Sequence, residues 1–237
     1  TRDHLDAHGS AEHYLASKQH ILTCQRPGDM AVLGEDVAHW PIAPGVTVVP
    51  PASVDPAEAV LPGAHNQTNA SLAAAVGRAI GIEDAASLAG SFEGLPHRLR
   101  TVLTARGVRF IDDSKSTTPD ATVRAIEAVN DPSKVWLIAG GHDKAIDPTP
   151  MVDRFGELAG VMLIGATAGE LAQRYGSNVH ARQCGTLDSA MQELTRVVSE
   201  GDTVLLSPGH ASWDQFANYE SRGLAFSRLA QELFGSA

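Results

Sequence analysis

Three short polar segments of the sequence carry groups that could bind an anion. Each combines small polar residues with a lysine or a histidine, and each follows an apolar run: Asp112–Thr118, Gly140–Lys144 and Ser207–Ser212. Backbone N–H groups, hydroxyls and an ammonium can all approach a phosphate or a carboxylate closely. The residues alone therefore predict a site for a charged small molecule, and they leave its chemistry open.

The apolar runs in the second half of the chain alternate with helical patterns. Strands are predicted at 108–111, 135–139, 161–164 and 203–206. Helices are predicted near 120–129, 151–158, 168–175 and 187–199, and a final helix carries Phe226, Leu229, Ala230 and Leu233 at helical spacing. This alternation predicts an α/β fold with a mostly parallel sheet. Ligands bind such sheets at the carboxyl ends of the strands, where the three polar segments fall.

The first part of the chain has a less regular pattern. A helix is predicted at 10–25 with Ser10 as its cap, strands at 30–33 and 46–49, and an alanine-rich helix at 66–80. The texture changes near 92–98, after which the strand–helix alternation begins. We therefore expect two α/β domains, 1–93 and 94–237.

Composition limits the classes of partner. The net charge of −10 argues against a nucleic-acid partner, because that recognition needs a clustered basic surface. No apolar run approaches membrane-spanning length, and the 43% hydrophobic content is typical of a globular protein. The opening residues resemble neither a signal nor a transit peptide, and Cys24 and Cys184 form no metal-ligand spacing. These features favour a cytoplasmic protein that does not bind membranes.

Several stretches resemble the family of UDP-N-acetylmuramoyl-L-alanine:D-glutamate ligases, which belong to the Mur ligases. The stretches in the second half are 94–98, 107–117, 205–216 and 219–223. In the first half, His65, Asn66 and Asn69, and the opening Asp3–Asp6 with Lys18, are similar to the family's central ATPase domain. The resemblance runs in family order along the whole chain. It implies part of a central α/β ATPase domain followed by a Rossmann-like C-terminal domain.

The family's reaction sets the expected substrates and cofactors. ATP phosphorylates the carboxylate of the muramoyl-alanine substrate, Mg²⁺ assists, and the amine of glutamate attacks the acyl phosphate, a step in peptidoglycan precursor synthesis. The family also has an N-terminal UDP-binding domain and a P-loop, Gly-x-x-x-x-Gly-Lys-Ser/Thr, which does not occur here. The resemblance thus implies that turnover belongs to a longer protein, a monomer with small-molecule substrates.

The resemblance also implies roles for individual residues. His4 and Lys18, the latter carbamylated, match positions at the Mg²⁺ and catalytic site. Asn66 and Asn69 match positions near the adenine. In the C-terminal domain, the expected ATP contacts are made by Arg98, Asp113 and the catalytic Lys115.

The glutamate pocket is expected to comprise Thr117, Lys144, Ser212, Trp213 and Tyr219. Trp213 stands where the family often has leucine, and Tyr219 where it often has phenylalanine, so the handedness of the glutamate stays open. The alternatives are an L-glutamate-adding ligase, a folylpolyglutamate synthase-like ligase and a non-catalytic module that binds an amino acid or a nucleotide. His142 and His210 are interpreted as solvated or hydrogen-bonded loop residues.

Overall fold

A computed structural model describes residues 8–55, 60–61, 63–175 and 180–235. The chain divides into two units, Thr1–Glu93 and Gly94–Ala237. The first contains helices α1 (Ala11–Thr23), α2 (Ala64–Ala79) and α3 (Ala85–Gly90) and two parallel strands, β1 (Met30–Val32) and β2 (Thr47–Val49). The Ser10 hydroxyl accepts a hydrogen bond from the His13 N–H at 3.1 Å, which confirms the predicted cap of α1.

The second unit is built on one six-stranded sheet. Its strands are β3 (Arg100–Ala105), β4 (Val108–Asp112), β5 (Val135–Gly140), β6 (Gly160–Ile164), β7 (Ala181–Gly185) and β8 (Thr203–Leu206). They lie in the order β3-β4-β8-β5-β6-β7, and only β3 runs antiparallel to its neighbour. The helices are α4 (Pro119–Glu127), α5 (Thr149–Val152), α6 (Ala168–Tyr175), α7 (Leu187–Leu194) and α8 (Tyr219–Phe234). The predicted α/β class and mostly parallel sheet are confirmed.

Both faces of this sheet are covered, which explains the continuous apolar strands. Along β5, Leu137 packs into one hydrophobic cluster and the next residue, Ile138, into the other. The first cluster includes Phe155 and Leu171, and the second is closed by Phe226 of α8. A sheet buried on two sides needs apolar side chains at successive positions. None of the helices in the described ranges is long and apolar enough to cross a membrane.

Some elements differ from the sequence-based expectation. Strands β3 and β7 and helix α3 were not predicted. The two strands form the edges of the sheet, where side chains such as Arg182 and Gln183 are exposed and no apolar run marks the strand. The helix expected at 151–158 is a short α5 followed by a 3₁₀ turn, Phe155–Glu157, and the helix expected at 187–199 ends at Leu194.

Candidate active site

The three polar segments meet at one edge of the sheet, as predicted. They follow β4, β8 and β5, which are neighbours in that order, so their carboxyl ends lie side by side. Backbone hydrogen bonds join the segments: Asp113 N–H to Leu206 O (2.9 Å), Gly209 N–H to Ser116 O (3.0 Å), Gly140 N–H to Pro208 O (2.8 Å) and His142 N–H to Ala211 O (2.8 Å). The three loops therefore form one connected surface.

A buried arginine on α8 forms hydrogen bonds with two of these loops. Arg222 is 1% exposed and donates to the Ser114 hydroxyl and the Ser114 carbonyl, both at 3.0 Å. It also donates to the carbonyls of His210 (3.1 Å) and Ala211 (3.3 Å). Burial lowers the pKa of this guanidinium to about 10. The side chain thus serves as an internal cross-link between the loop after β4 and the loop after β8.

Asp112 is the last residue of β4 and Asp113 follows it. Both side chains are buried and accept hydrogen bonds inside the protein. Asp113 is 4% exposed and accepts hydrogen bonds from the hydroxyls of Ser116 (2.6 Å) and Ser207 (2.7 Å) and from the Leu99 N–H (3.2 Å). Its neighbour Asp112 lies 2.7 Å from His97 Nδ1. Asp113 was predicted as an ATP contact, and that role stays a prediction. The structure shows its carboxylate holding the β4 and β8 loops together.

Burial raises the pKa of Asp113 to about 6, against the hydrogen bonds that lower it. Between pH 4 and pH 6 the folded protein then holds a proton that the unfolded chain has released. The contribution of Asp113 to stability is therefore present below pH 4 and falls as the pH rises through 6, by about 3 kcal/mol.

We expect Asp113→Asn to remove this dependence. Urea unfolding of wild type and variant at pH 4 and pH 7 measures this dependence. The free energy of unfolding of the variant minus that of wild type should be about 3 kcal/mol larger at pH 7 than at pH 4. An equal difference at both pH values would contradict the assignment.

The first cationic cluster of the edge is centred on Lys115. Its Nζ lies 3.9 Å from the centroid of the Tyr219 ring, and His97 packs edge-on against the same ring. The His97 carbonyl accepts a hydrogen bond from the Lys115 N–H at 3.1 Å. A cation over an aromatic face is attracted by the ring. Lys115 was predicted for ATP and Tyr219 for glutamate, and the structure brings the two together.

The second cationic cluster is centred on Lys144. Its Nζ lies 5.9 Å from the centroid of Trp213, and the His142 ring packs against the same indole at 5.6 Å. Trp213 is 62% exposed, although its neighbours are anchored. The Asp214 carboxylate accepts from the Ala166 N–H (2.9 Å), and the Gln215 amide donates to the Gly185 carbonyl (2.6 Å). The turn is therefore fixed while the indole faces outward.

The remaining predicted residues of the second unit differ in burial. Thr117 is half-buried, and Arg98 is exposed. Ser212 is buried, and its carbonyl accepts from the Gln215 and Phe216 N–H groups at 3.1 and 2.8 Å. Their predicted ligand contacts stay predictions.

The predicted residues of the first unit are only partly described. His4 lies outside the described residues. Lys18 is exposed on α1, with Nζ 5.4 Å from the Tyr14 ring centroid. Asn66 and Asn69 lie one turn apart on α2, half-buried and exposed respectively. Across the described ranges, no group of three His, Cys, Asp or Glu side chains is arranged to hold a metal ion.

Sequence reasoning gave no role to Arg222, His97 or Asp112. A signal for Arg222 was present, because it falls four residues before Phe226 on the face of α8 that carries the apolar stripe. An arginine on a core-facing stripe needs internal acceptors. No comparable signal marks His97, whose partner Asp112 is 15 residues further along the chain.

Comparison with known proteins identifies the kind of domain that carries this site. Residues 97–210 match the family model of the Mur ligase, glutamate ligase domain. The MurF ligase from Thermotoga maritima in complex with ADP shares the fold, with a TM-score of 0.70 at 16% identity over 97% of this chain and 60% of that chain. The bifunctional folylpolyglutamate synthase/dihydrofolate synthase from Yersinia pestis CO92 also shares it, with a TM-score of 0.60 at 15% identity over 91% of this chain and 55% of that chain.

Residues 97–210 therefore carry the Mur ligase, glutamate ligase domain, and the chain as a whole is similar to ligases of the Mur family. Within that family, the UDP-N-acetylmuramoylalanine–D-glutamate ligase of Myxococcus xanthus (strain DK1622) is 36% identical over 269 residues, an alignment that covers 98% of this chain. The resemblance inferred from the sequence motifs is thereby confirmed. The chain spans 59% of the length of that relative.

Proposed function

We propose that the full-length protein containing this chain is an ATP-dependent ligase that adds D-glutamate to UDP-N-acetylmuramoyl-L-alanine in peptidoglycan precursor synthesis. The observation that carries the proposal is the edge of the C-terminal sheet, where hydrogen-bonded loops present Lys115 and Lys144, each beside an aromatic ring. The name of the Myxococcus xanthus relative, a UDP-N-acetylmuramoylalanine–D-glutamate ligase, supports the choice of substrates.

The chemistry divides between the two clusters. Phosphoryl transfer from ATP to the substrate carboxylate needs charge neutralisation. Lys115, in the loop after β4, and Arg98, just before β3, would supply the positive charge. Lys144, which lies beside Trp213, would bind a carboxylate of glutamate together with Thr117 and Ser212. Attack of the glutamate nitrogen on the acyl carbon then forms the C–N bond, and phosphate leaves with the electrons of the C–O bond.

The first unit, 1–93, would contribute the C-terminal part of the central ATPase domain, and 94–237 the glutamate-binding domain. In that arrangement Asn66 and Asn69 would lie near the adenine. Mg²⁺ would supply charge neutralisation at the phosphates, and His4 and carbamylated Lys18 are the residues proposed to hold it. The protein would act in the cytoplasm as a monomer on small molecules.

Among the alternatives, the L-glutamate-adding ligase differs from the proposal only in the handedness of the amino acid. Trp213 is exposed and lies beside Lys144, so an indole borders the proposed pocket for the amino acid. A bulky wall can select between enantiomers through shape. The names of the sequence relatives favour D-glutamate, and assays with both isomers separate the two ligases.

Lys144→Ala in the full-length protein is expected to raise the KM for glutamate about 100-fold with a smaller change in kcat, since one charge-assisted hydrogen bond to the substrate is lost. Steady-state phosphate release at varied glutamate measures this. The matched control is Lys134→Ala, an exposed lysine at the opposite end of β5 that should leave KM unchanged. An unchanged KM in Lys144→Ala would remove Lys144 from the pocket.

A further inference from the structure

One histidine of the candidate site is buried, unlike its exposed neighbour in the facing loop. His210 is 5% exposed and lies in the loop after β8, two residues before Ser212. Its carbonyl accepts a hydrogen bond from Arg222 Nη2 at 3.1 Å, which fixes the main chain at this point. The next residue, Ala211, bridges to His142 in the loop that carries Lys144. His210 is thus a built-in part of the edge that presents the second cationic cluster.

The hydrogen bonds of the ring determine its tautomer. His210 Nδ1 lies 3.1 Å from the Pro208 carbonyl oxygen. A carbonyl oxygen can only accept, so Nδ1 carries the hydrogen and Nε2 of the neutral ring has a lone pair. Within the described part of the chain Nε2 makes no hydrogen bond, and it is not fully enclosed by protein. Nε2 therefore keeps its lone pair for a ligand, on a fixed ring that is 5% exposed.

Charged groups from three elements act on this imidazole. Burial is the largest influence and lowers the pKa of His210, and Arg222 of α8 lowers it further. Asp143, in the loop after β5, and Glu170, on α6, oppose this shift. The ring is consequently neutral at pH 7, and it lies in a place where two carboxylates favour a nearby cation.

We infer that His210 Nε2 binds the amino group of the incoming amino acid and accepts its proton. The inference rests on the proposed function. An α-amino dicarboxylate carries two negative groups and one ammonium, and the site offers matching chemistry: Lys144 for a carboxylate, and for the ammonium a neutral acceptor on which the charges of Asp143 and Glu170 act. This assigns His210 a catalytic part that its interpretation as a hydrogen-bonded loop residue did not include.

The proton transfer completes the balance of the ligation step. An ammonium nitrogen has no lone pair, so it must lose a proton before or as it attacks the acyl carbon. The C–N bond forms, the C–O bond to phosphate breaks, and phosphate leaves with that electron pair. The proton passes to His210 Nε2 and from there to solvent, which restores the neutral ring. General bases of this kind contribute roughly 10²- to 10⁴-fold to a rate.

Two variants of the full-length protein separate proton transfer from a purely structural role. In His210→Asn the side-chain amide can still donate to the Pro208 carbonyl, but nothing replaces Nε2. In His210→Gln the amide oxygen can replace Nε2 as an acceptor, but it cannot take a proton. We expect kcat to fall about 100-fold in both, with the KM for glutamate retained only in His210→Gln. The acid limb of the wild-type profile of kcat/KM against pH should disappear in both.

The matched control is His180→Asn, an exposed histidine at the opposite edge of the sheet, just before β7, which should keep the wild-type rate and pH profile. A wild-type rate and acid limb in His210→Asn would overturn the inference and leave His210 with the Pro208 bond alone. So would a wild-type kcat/KM that shows no acid limb below pH 6.5, down to the lowest pH at which the protein stays folded. Failure of the proposed function looks different, because wild type itself would then release no phosphate with glutamate.

Discussion

Replacing Lys115 with alanine in the full-length protein is expected to lower kcat for ATP-dependent ligation about 10³-fold. Lys115 is the cation directly after β4, and its Nζ lies over the Tyr219 ring at 3.9 Å. A positioned ammonium next to a transferring phosphoryl group stabilises charge that develops in the transition state, so its loss should appear in kcat more than in KM. Initial rates of phosphate release at saturating substrates measure the effect.

The fold should survive this substitution, because Lys115 is half-buried and its side chain contacts a ring at the surface of the edge. Arg109→Ala is the matched control. Arg109 is an exposed cation on β4, at the end away from the site, where it donates to the Thr203 hydroxyl at 3.3 Å. Equal rates for wild type and Lys115→Ala, with both proteins folded, would show that Lys115 does not take part in phosphoryl transfer.

Arg222→Met is expected to reduce the free energy of unfolding of the second unit by about 3 kcal/mol. Methionine has a similar length but leaves the Ser114, His210 and Ala211 carbonyls without their buried donor. Removing the guanidinium also removes its desolvation cost, which keeps the net loss near this value. Urea unfolding followed by the fluorescence of Trp136 on β5, in a background with Trp40→Phe and Trp213→Phe, reports on this unit.

The same helix provides the control for Arg222. Arg228 is exposed on α8 and pairs with Glu232 one turn later. Exposed pairs at this spacing contribute about 0.5 kcal/mol or less, so Arg228→Met should be nearly neutral. If the two variants unfold at the same urea concentration, Arg222 does not act as the internal cross-link between the β4 and β8 loops.

How far the sequence predicts this fold depends on burial. The run Val135–Gly140 is apolar at successive positions because both faces of β5 are covered, and so it was recognisable as a strand. Strand β7 lies at the edge, where exposed polar side chains give no such pattern. The meeting of the three polar loops also followed from the sequence, since parallel strands place their carboxyl ends at one edge.

The contacts inside the site could not be predicted in the same way. Ser114 and Arg222 are 108 residues apart, and their hydrogen bonds depend on the packing of α8 against the loop after β4. Tyr219 is the first residue of α8, directly after the N-cap Asn218, and its ring lies under Lys115 rather than in a separate pocket. Local patterns report periodicity and turn chemistry, and they carry no information on which distant side chains meet.

The most direct measurement is phosphate release by the full-length protein supplied with ATP, Mg²⁺ and UDP-N-acetylmuramoyl-L-alanine, with D- or L-glutamate in parallel reactions. Mass spectrometry of the nucleotide-sugar product should show one added glutamate residue. We expect release and product with D-glutamate only. Product with L-glutamate alone would identify the L-glutamate-adding ligase, and a folded protein that releases no phosphate with either isomer would contradict the ligase function and favour a binding module.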